Sequence, residues 1–219
     1  MRYDRFVRRF ALLTLTLLAG CRGTVPELYQ PPEAGIASVL IGCRMTLPTG
    51  ETPNGFLALN LEGADGGETY RLPIIPQRAL LYQVEPGLYR LMPTLSIFGF
   101  RQEKLKVVIE GRAYSVPFPR DILRLPILTI KPKKVVALGV VDVTLTTRKP
   151  GQPVMVKVRL DDSVEARRQL VQTEIRTMMD PYVPAEERSS SVAWTRALEE
   201  TLSEVVTESQ RGPAFRAVP

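Results

Sequence analysis

The 219-residue sequence contains no histidine. That absence removes Ser-His-Asp and Cys-His catalysis and every zinc site built on imidazole. The chain also lacks a G-x-S-x-G elbow, an S-x-x-K pair, a P-loop and a dinucleotide fingerprint. Cysteine is scarce, with Cys21 and Cys43 the two in the chain. Long apolar runs are missing too. The N-terminal run Phe10 to Leu18, broken by Thr14 and Thr16, is roughly half of the about 20 residues that a membrane-crossing helix needs. These absences disfavour an enzyme, and no catalytic residue, cofactor or metal ligand is assigned. A pair of carboxylates leaves no short motif, so a carboxylate-based envelope enzyme stays open as an alternative.

The N-terminus is the most informative segment present. Arg2, Arg5, Arg8 and Arg9 precede the short apolar run, and Leu18-Ala19-Gly20-Cys21 closes it. A basic region, a short apolar region and small residues before a cut are the parts of a secretion signal. This segment resembles a bacterial lipoprotein signal, with Leu18, Ala19, Gly20 and Cys21 as its lipobox. The resemblance implies cleavage before Cys21, a diacylglyceryl thioether on Cys21 and acylation, as with palmitate, of the new amino terminus. Two or three chains give stable membrane anchoring where one holds only marginally. Arg22 stands where an Asp retains enteric lipoproteins at the inner membrane. The expected location is therefore the outer membrane, facing the periplasm.

Cleavage changes the charge balance. Residues 1–20 hold four Arg and one Asp, so the formal charge of +6 falls to +3 in the mature chain. The basic character then gives no argument for nucleic acid. The remaining residues suffice for one domain with a real core. With Cys21 lipidated, Cys43 has no intramolecular partner. It lies in the apolar run Ile36 to Met45 and reads as a small buried hydrophobe.

Arg22 to Gly35 contains Pro26, Pro31 and Pro32 and reads as a tether, with the lipidated N-terminus and tether spanning 21–35. Its fourteen residues reach about 43 Å when extended at ~3.1 Å each. Short apolar segments then alternate with Gly and Pro turns. They are Ile36–Ile41, Phe56–Leu61, Thr69–Ile75, Ala79–Val84, Leu88–Leu95, Lys104–Ile109, Ala113–Pro117, Leu125–Ile130, Lys134–Thr146 and Val154–Leu160. This rhythm predicts a mainly β fold, an antiparallel β-sandwich over 36–160. Val135 to Val143 is apolar on both parities except at Asp142. That pattern predicts a central strand covered on both faces by the C-terminal helices, with Gly139 marking a bulge.

The pattern turns helical over 161–210, forming a pair packed on the sandwich. Asp162 and Glu165 resemble a capping box, and Val164, Val171, Ile175 and Met178 share a helix face. Ser189, Ser190 and Ser191 offer caps for a second helix, whose face carries Trp194, Leu198, Leu202 and Val205. Residues 211–219 read as a disordered tail.

Three clusters outside the core are candidates for chemistry. Glu62, Asp65 and Glu68 surround a glycine-rich loop but lack the spacing of a calcium loop. Lys131, Lys133 and Lys134 form a basic turn. Leu95 to Phe100 is the best candidate for partner binding: Phe98 and Phe100 share a parity around Gly99, and recognition residues gather on loops. Val84-Glu85-Pro86-Gly87-Leu88-Tyr89-Arg90-Leu91 is similar to the Pro-Gly turns of transthyretin-like and carboxypeptidase-regulatory-type β-sandwiches, and of uncharacterised envelope lipoproteins. That likeness implies seven or eight strands and no catalytic residues. The expected function is a non-catalytic, membrane-anchored protein-binding or assembly component with an envelope protein as partner. The alternatives are a periplasmic small-ligand or glycan binder and the carboxylate enzyme.

Overall fold

A computed structural model describes residues 37–76, 79–92, 104–123, 125–146, 155–182 and 188–210. The strands are β1 (Ala37–Thr46), β2 (Gly55–Gly63), β3 (Thr69–Ile74), β4 (Ala79–Val84), β5 (Gly87–Met92), β6 (Lys104–Ile109), β7 (Arg112–Pro117), β8 (Leu128–Ile130), β9 (Val135–Thr146) and β10 (Met155–Asp161). The helices are α1 (Arg120–Leu123), α2 (Val164–Met178) and α3 (Arg188–Gln210). One sheet runs β10-β9-β1-β4, and the other runs β7-β6-β2-β5-β8 with β3 also on β2.

The sandwich follows from period-two burial. Val39, Ile41, Cys43 and Met45 of β1 and Leu57, Leu59 and Leu61 of β2 are all buried in the core between the sheets. β6 shows the same alternation, with Lys104 and Lys106 exposed and Leu105, Val107 and Ile109 buried. A tight turn joins β6 to β7. Glu110 and Gly111 sit at φ of 48° and 74°, the left-handed pair that a two-residue hairpin of this twist requires.

The mainly β sandwich with two C-terminal helices agrees with the sequence pattern, and three features refine it. The described residues form ten strands rather than seven or eight. β1 and β9 pair in parallel, while every other ladder is antiparallel. β1 meets β9 across seven intervening strands, so no hairpin dictates the direction of that pair. The segment expected as a strand over Leu125–Ile130 keeps strand geometry at Leu128–Ile130, preceded by α1. Asp121 of α1 accepts a hydrogen bond from the Leu160 amide at 2.8 Å, which satisfies an edge donor of β10.

β9 lies between β10 and β1 and carries the expected bulge. Its register against β1 passes from Leu40↔Ala137 to Ile41↔Gly139, leaving Leu138 as the extra residue. Gly139 has φ 121°, and a Cβ there would stand 2.3 Å from the Asp161 carbonyl oxygen. Only a residue without a side chain fits that backbone angle and that approach.

The helices cover part of the outer face of the first sheet. Leu40, Leu81, Val135 and Ala137 pack there against Leu170, Val171, Met178, Trp194 and Leu198. The cap of α2 is Ser163, whose hydroxyl accepts from the Ala166 amide at 3.2 Å, rather than Asp162. α3 begins at Arg188, so the three serines sit in its first turn, and Ser190 and Ser191 are buried there. Arg167 joins Glu208 at 2.8 Å across the two helices. The Thr201 hydroxyl donates to the Val135 carbonyl at 2.9 Å, and Lys134 reaches Glu200 and Glu204 at 2.8 and 3.1 Å. Lys134 of the basic turn therefore bonds to α3, while Lys131 and Lys133 are exposed.

Candidate functional site

Leu18, Ala19, Gly20, Cys21, Phe98 and Phe100 lie outside the described residues, as do the tether and the C-terminal tail. The strands on either side of Phe98 and Phe100 are described. Asn60, Leu61 and Glu62 of β2 pair with both β3 and β5, and Leu57 pairs with both β3 and β6. β5 and β6 therefore share the edge of β2 opposite β3. β5 ends with Met92 beside Asn60, and β6 has Val107 beside Leu57. Met92 and Val107, on either side of the connection that carries Phe98 and Phe100, thus stand three β2 positions apart along that side of β2.

The Glu85-Pro86-Gly87 turn is locked by two tyrosines. The Tyr89 hydroxyl donates to the Glu85 carbonyl at 2.8 Å. The Tyr70 hydroxyl donates to the Glu68 carboxylate at 2.7 Å and accepts from the Glu85 amide at 3.1 Å. The two rings meet edge-on, with centroids 5.9 Å apart. Tyr89 is 4% exposed, so its aromatic face serves packing and its hydroxyl serves the turn. Desolvation on burial raises the Tyr70 and Tyr89 phenols above their ordinary range.

The remaining titratable candidates fall into the interior or into ion pairs. Cys43 is a buried free thiol, and desolvation, with a contribution from Asp142, pushes it up to about 12. A thiol at that value is inert near neutral pH. Glu68 of the glycine-rich loop is engaged by Tyr70, and no group of three His, Cys, Asp or Glu among the described residues is placed to hold a metal ion. Glu174 of α2 is 3% exposed, within the helix-sheet core, and its Oε1 has no hydrogen-bond partner. Desolvation pushes its carboxyl up to about 7.

Beyond the helices, the outer face of the first sheet carries a charged cleft of about 270 Å³ lined by Arg44, Thr46, Asp142, Thr144, Lys157 and Arg159. Register brings these residues together: Arg44 and Arg159 both stand beside Asp142, and Thr46 and Lys157 beside Thr144. Arg44 and Arg159 reach the two carboxylate oxygens of Asp142 at 3.3 and 3.5 Å. The sequence pattern marked Asp142 only as a polar break in an apolar run. Its partners come from strands far apart in the chain, so no local spacing announced the cluster. A second cleft, of about 620 Å³, lies between the end of α2 and the start of α3 and is lined by Met178, Met179, Pro181 and Val192 among others.

No protein-family profile matches this chain, and no curated protein matches it. Among solved structures, it is similar to a chain from Bacteroides ovatus ATCC 8483 described as a "putative cell adhesion protein", at 9% identity and a TM-score of 0.21. That likeness covers 57% of this chain and 45% of the other, so this chain matches less than half of that protein's length. A score this low carries no argument about fold or role.

Proposed function

We propose that this chain is a lipid-anchored envelope lipoprotein that binds a protein partner and performs no catalysis. The lipobox Leu18-Ala19-Gly20-Cys21, set behind a basic and then a short apolar segment, is the observation that carries this reading. Lipidated Cys21 holds the protein in the outer membrane, facing the periplasm, and residues 22–35 act as the tether. Among the described residues no helix is long and apolar enough to cross a membrane, and two or three acyl chains supply the anchor instead.

The binding surface is formed by Phe98 and Phe100. Phe98 and Phe100 lie in the connection between β5 and β6, which pair with neighbouring stretches of the same side of β2, and recognition residues gather on connections between strands. Palmitate labelling and membrane fractionation test the anchor: wild type is labelled and sediments with membranes, and Cys21→Ser does neither. Equal labelling of the two would remove the lipoprotein reading. For the surface, in-cell cross-linking should capture one envelope protein, with reciprocal capture from that partner. Phe98→Ser with Phe100→Ser should abolish this while the fold persists. Undiminished capture by the double variant would exclude these aromatics as the contact.

A further inference from the structure

The charged cleft on the bare part of the first sheet contains more binding capacity than its ion pairs use. Asp142 is the most enclosed of its charged members, with its side chain 16% exposed, while Arg44 and Arg159 are 60% and 63% exposed. Ion pairs of such exposed side chains contribute at most about 1 kcal/mol each, so fold stability gives little reason for the arrangement. Its geometric effect is larger. One carboxylate pairs with two guanidiniums on either side of β9, two strand spacings apart, or about 9.5 Å between backbones, and only its oxygen facing Arg159 is hydrogen-bonded. Each guanidinium has five N–H donors, and pairing with Asp142 leaves most of them directed elsewhere.

The second row of the cleft adds unengaged groups. Lys157 forms no ion pair among the described residues, and the Thr46 and Thr144 hydroxyls make no hydrogen bond there. The charge count is favourable to an anion. Arg44, Arg159 and Lys157 stand against Asp142 and Asp161, which leaves one positive charge in excess, and Asp161 also accepts a hydrogen bond from the Ser163 amide at 3.2 Å. The volume suits one small charged group with its water.

We infer that this cleft is an oxyanion site, taking a phosphate or carboxylate group between Arg44, Arg159 and Lys157, with Thr46 and Thr144 as hydroxyl donors. Asp142 is the positioning residue that holds the two arginines apart. β1 runs from Ala37 at its start to Arg44 near its far end, about 23 Å at strand rise. The site therefore lies at the opposite end of β1 from its first residue, Ala37.

The test uses the full-length ¹⁵N-labelled chain in zwitterionic detergent, titrated with inorganic phosphate, then with acetate, at ionic strength fixed by chloride. Saturable shifts should centre on the amides of Arg44, Thr46, Thr144, Lys157 and Arg159. Lys157→Gln should weaken phosphate binding several-fold, and Lys157→Gln with Arg159→Gln at least tenfold, both at unchanged melting temperature. Non-saturable shifts, or equal affinity in the double variant, would overturn the site. A further arm with phosphatidylglycerol vesicles separates the sources. Vesicle capture that is lost in the double variant assigns the anion to a lipid headgroup. Phosphate or acetate binding without such capture assigns it to a soluble or polymer-borne anion.

Discussion

Along β1, Leu40 and Gly42 lie beneath the helices, while Arg44 and Thr46, the next two residues on the same face, lie in the charged cleft. β9 repeats the change, from Val135, Ala137 and Val140 under the helices to Asp142 and Thr144 outside them. The strands, the sheet and the outward parity are the same in both halves. The difference is the covering layer, and side-chain character switches where that layer stops. Gly42 marks the boundary: a Cβ on it would come within 2.8 Å of the Leu170 side chain, so α2 lies directly on the β1 backbone. The outer face thus has one half built for burial and one half built for solvent and charge.

The largest effect is expected where the covered half is emptied. Leu198 is fully buried among Leu40, Trp194 and the α2 residues, and Leu198→Ala should cost about 2–5 kcal/mol. Urea unfolding read through Trp194 fluorescence measures this. A loss below ~1 kcal/mol would mean that the helices lean on the sheet without sharing its core.

Next comes the carboxylate buried in that covered half. Glu174 is pushed from its ordinary value of 4.5 up to about 7 by desolvation. Below pH 4.5 both folded and unfolded chains hold the proton, and this residue costs nothing through ionisation. Between those values the unfolded chain releases a proton that the folded chain retains, so stability falls as pH rises and levels off above about 7. The shift corresponds to roughly 3 kcal/mol. Glu174→Gln should therefore match wild type near pH 4 and exceed it by up to that amount at pH 8. Parallel stability curves from pH 4 to pH 8 would show that Glu174 finds a charged-state partner.

The smallest effect belongs to the bare half. Asp142→Asn loses two ion pairs, should change stability by about 2 kcal/mol or less, and should leave the near-ultraviolet spectrum of the core unchanged. Cooperative loss of the fold would show that the charged half is as structural as the covered one.

Part of this division was legible in the sequence. The run Val135 to Val143 was readable as a central strand, but the pattern placed cover on both of its faces throughout, whereas the helices stop short of Asp142. The helix face Trp194, Leu198, Leu202 and Val205 was readable from period alone, and Gly139 was readable as a bulge. The missed features depend on long-range assembly or on very short elements. α1 has four residues, too few to show a period, and its role rests on Asp121 meeting Leu160 from elsewhere in the chain. The cap fell on Ser163 rather than Asp162 because the two offer similar oxygens one residue apart. Arg44, Asp142 and Arg159 become neighbours only through the β1–β9 and β9–β10 registers. Glu174 read as an ordinary helix residue, and its burial comes from the surfaces that α2 presses against.

The parallel pairing of β1 with β9 also orders events in time. A chain made or threaded from its N-terminus delivers β1 first, and β4 can zip onto one of its edges early. The other edge has no mate until β9 follows, after seven intervening strands. Until then, an apolar strand with unfilled amides and carbonyls stands open to any extended segment nearby. The first strand of the described fold is thus the one that waits longest for its second neighbour.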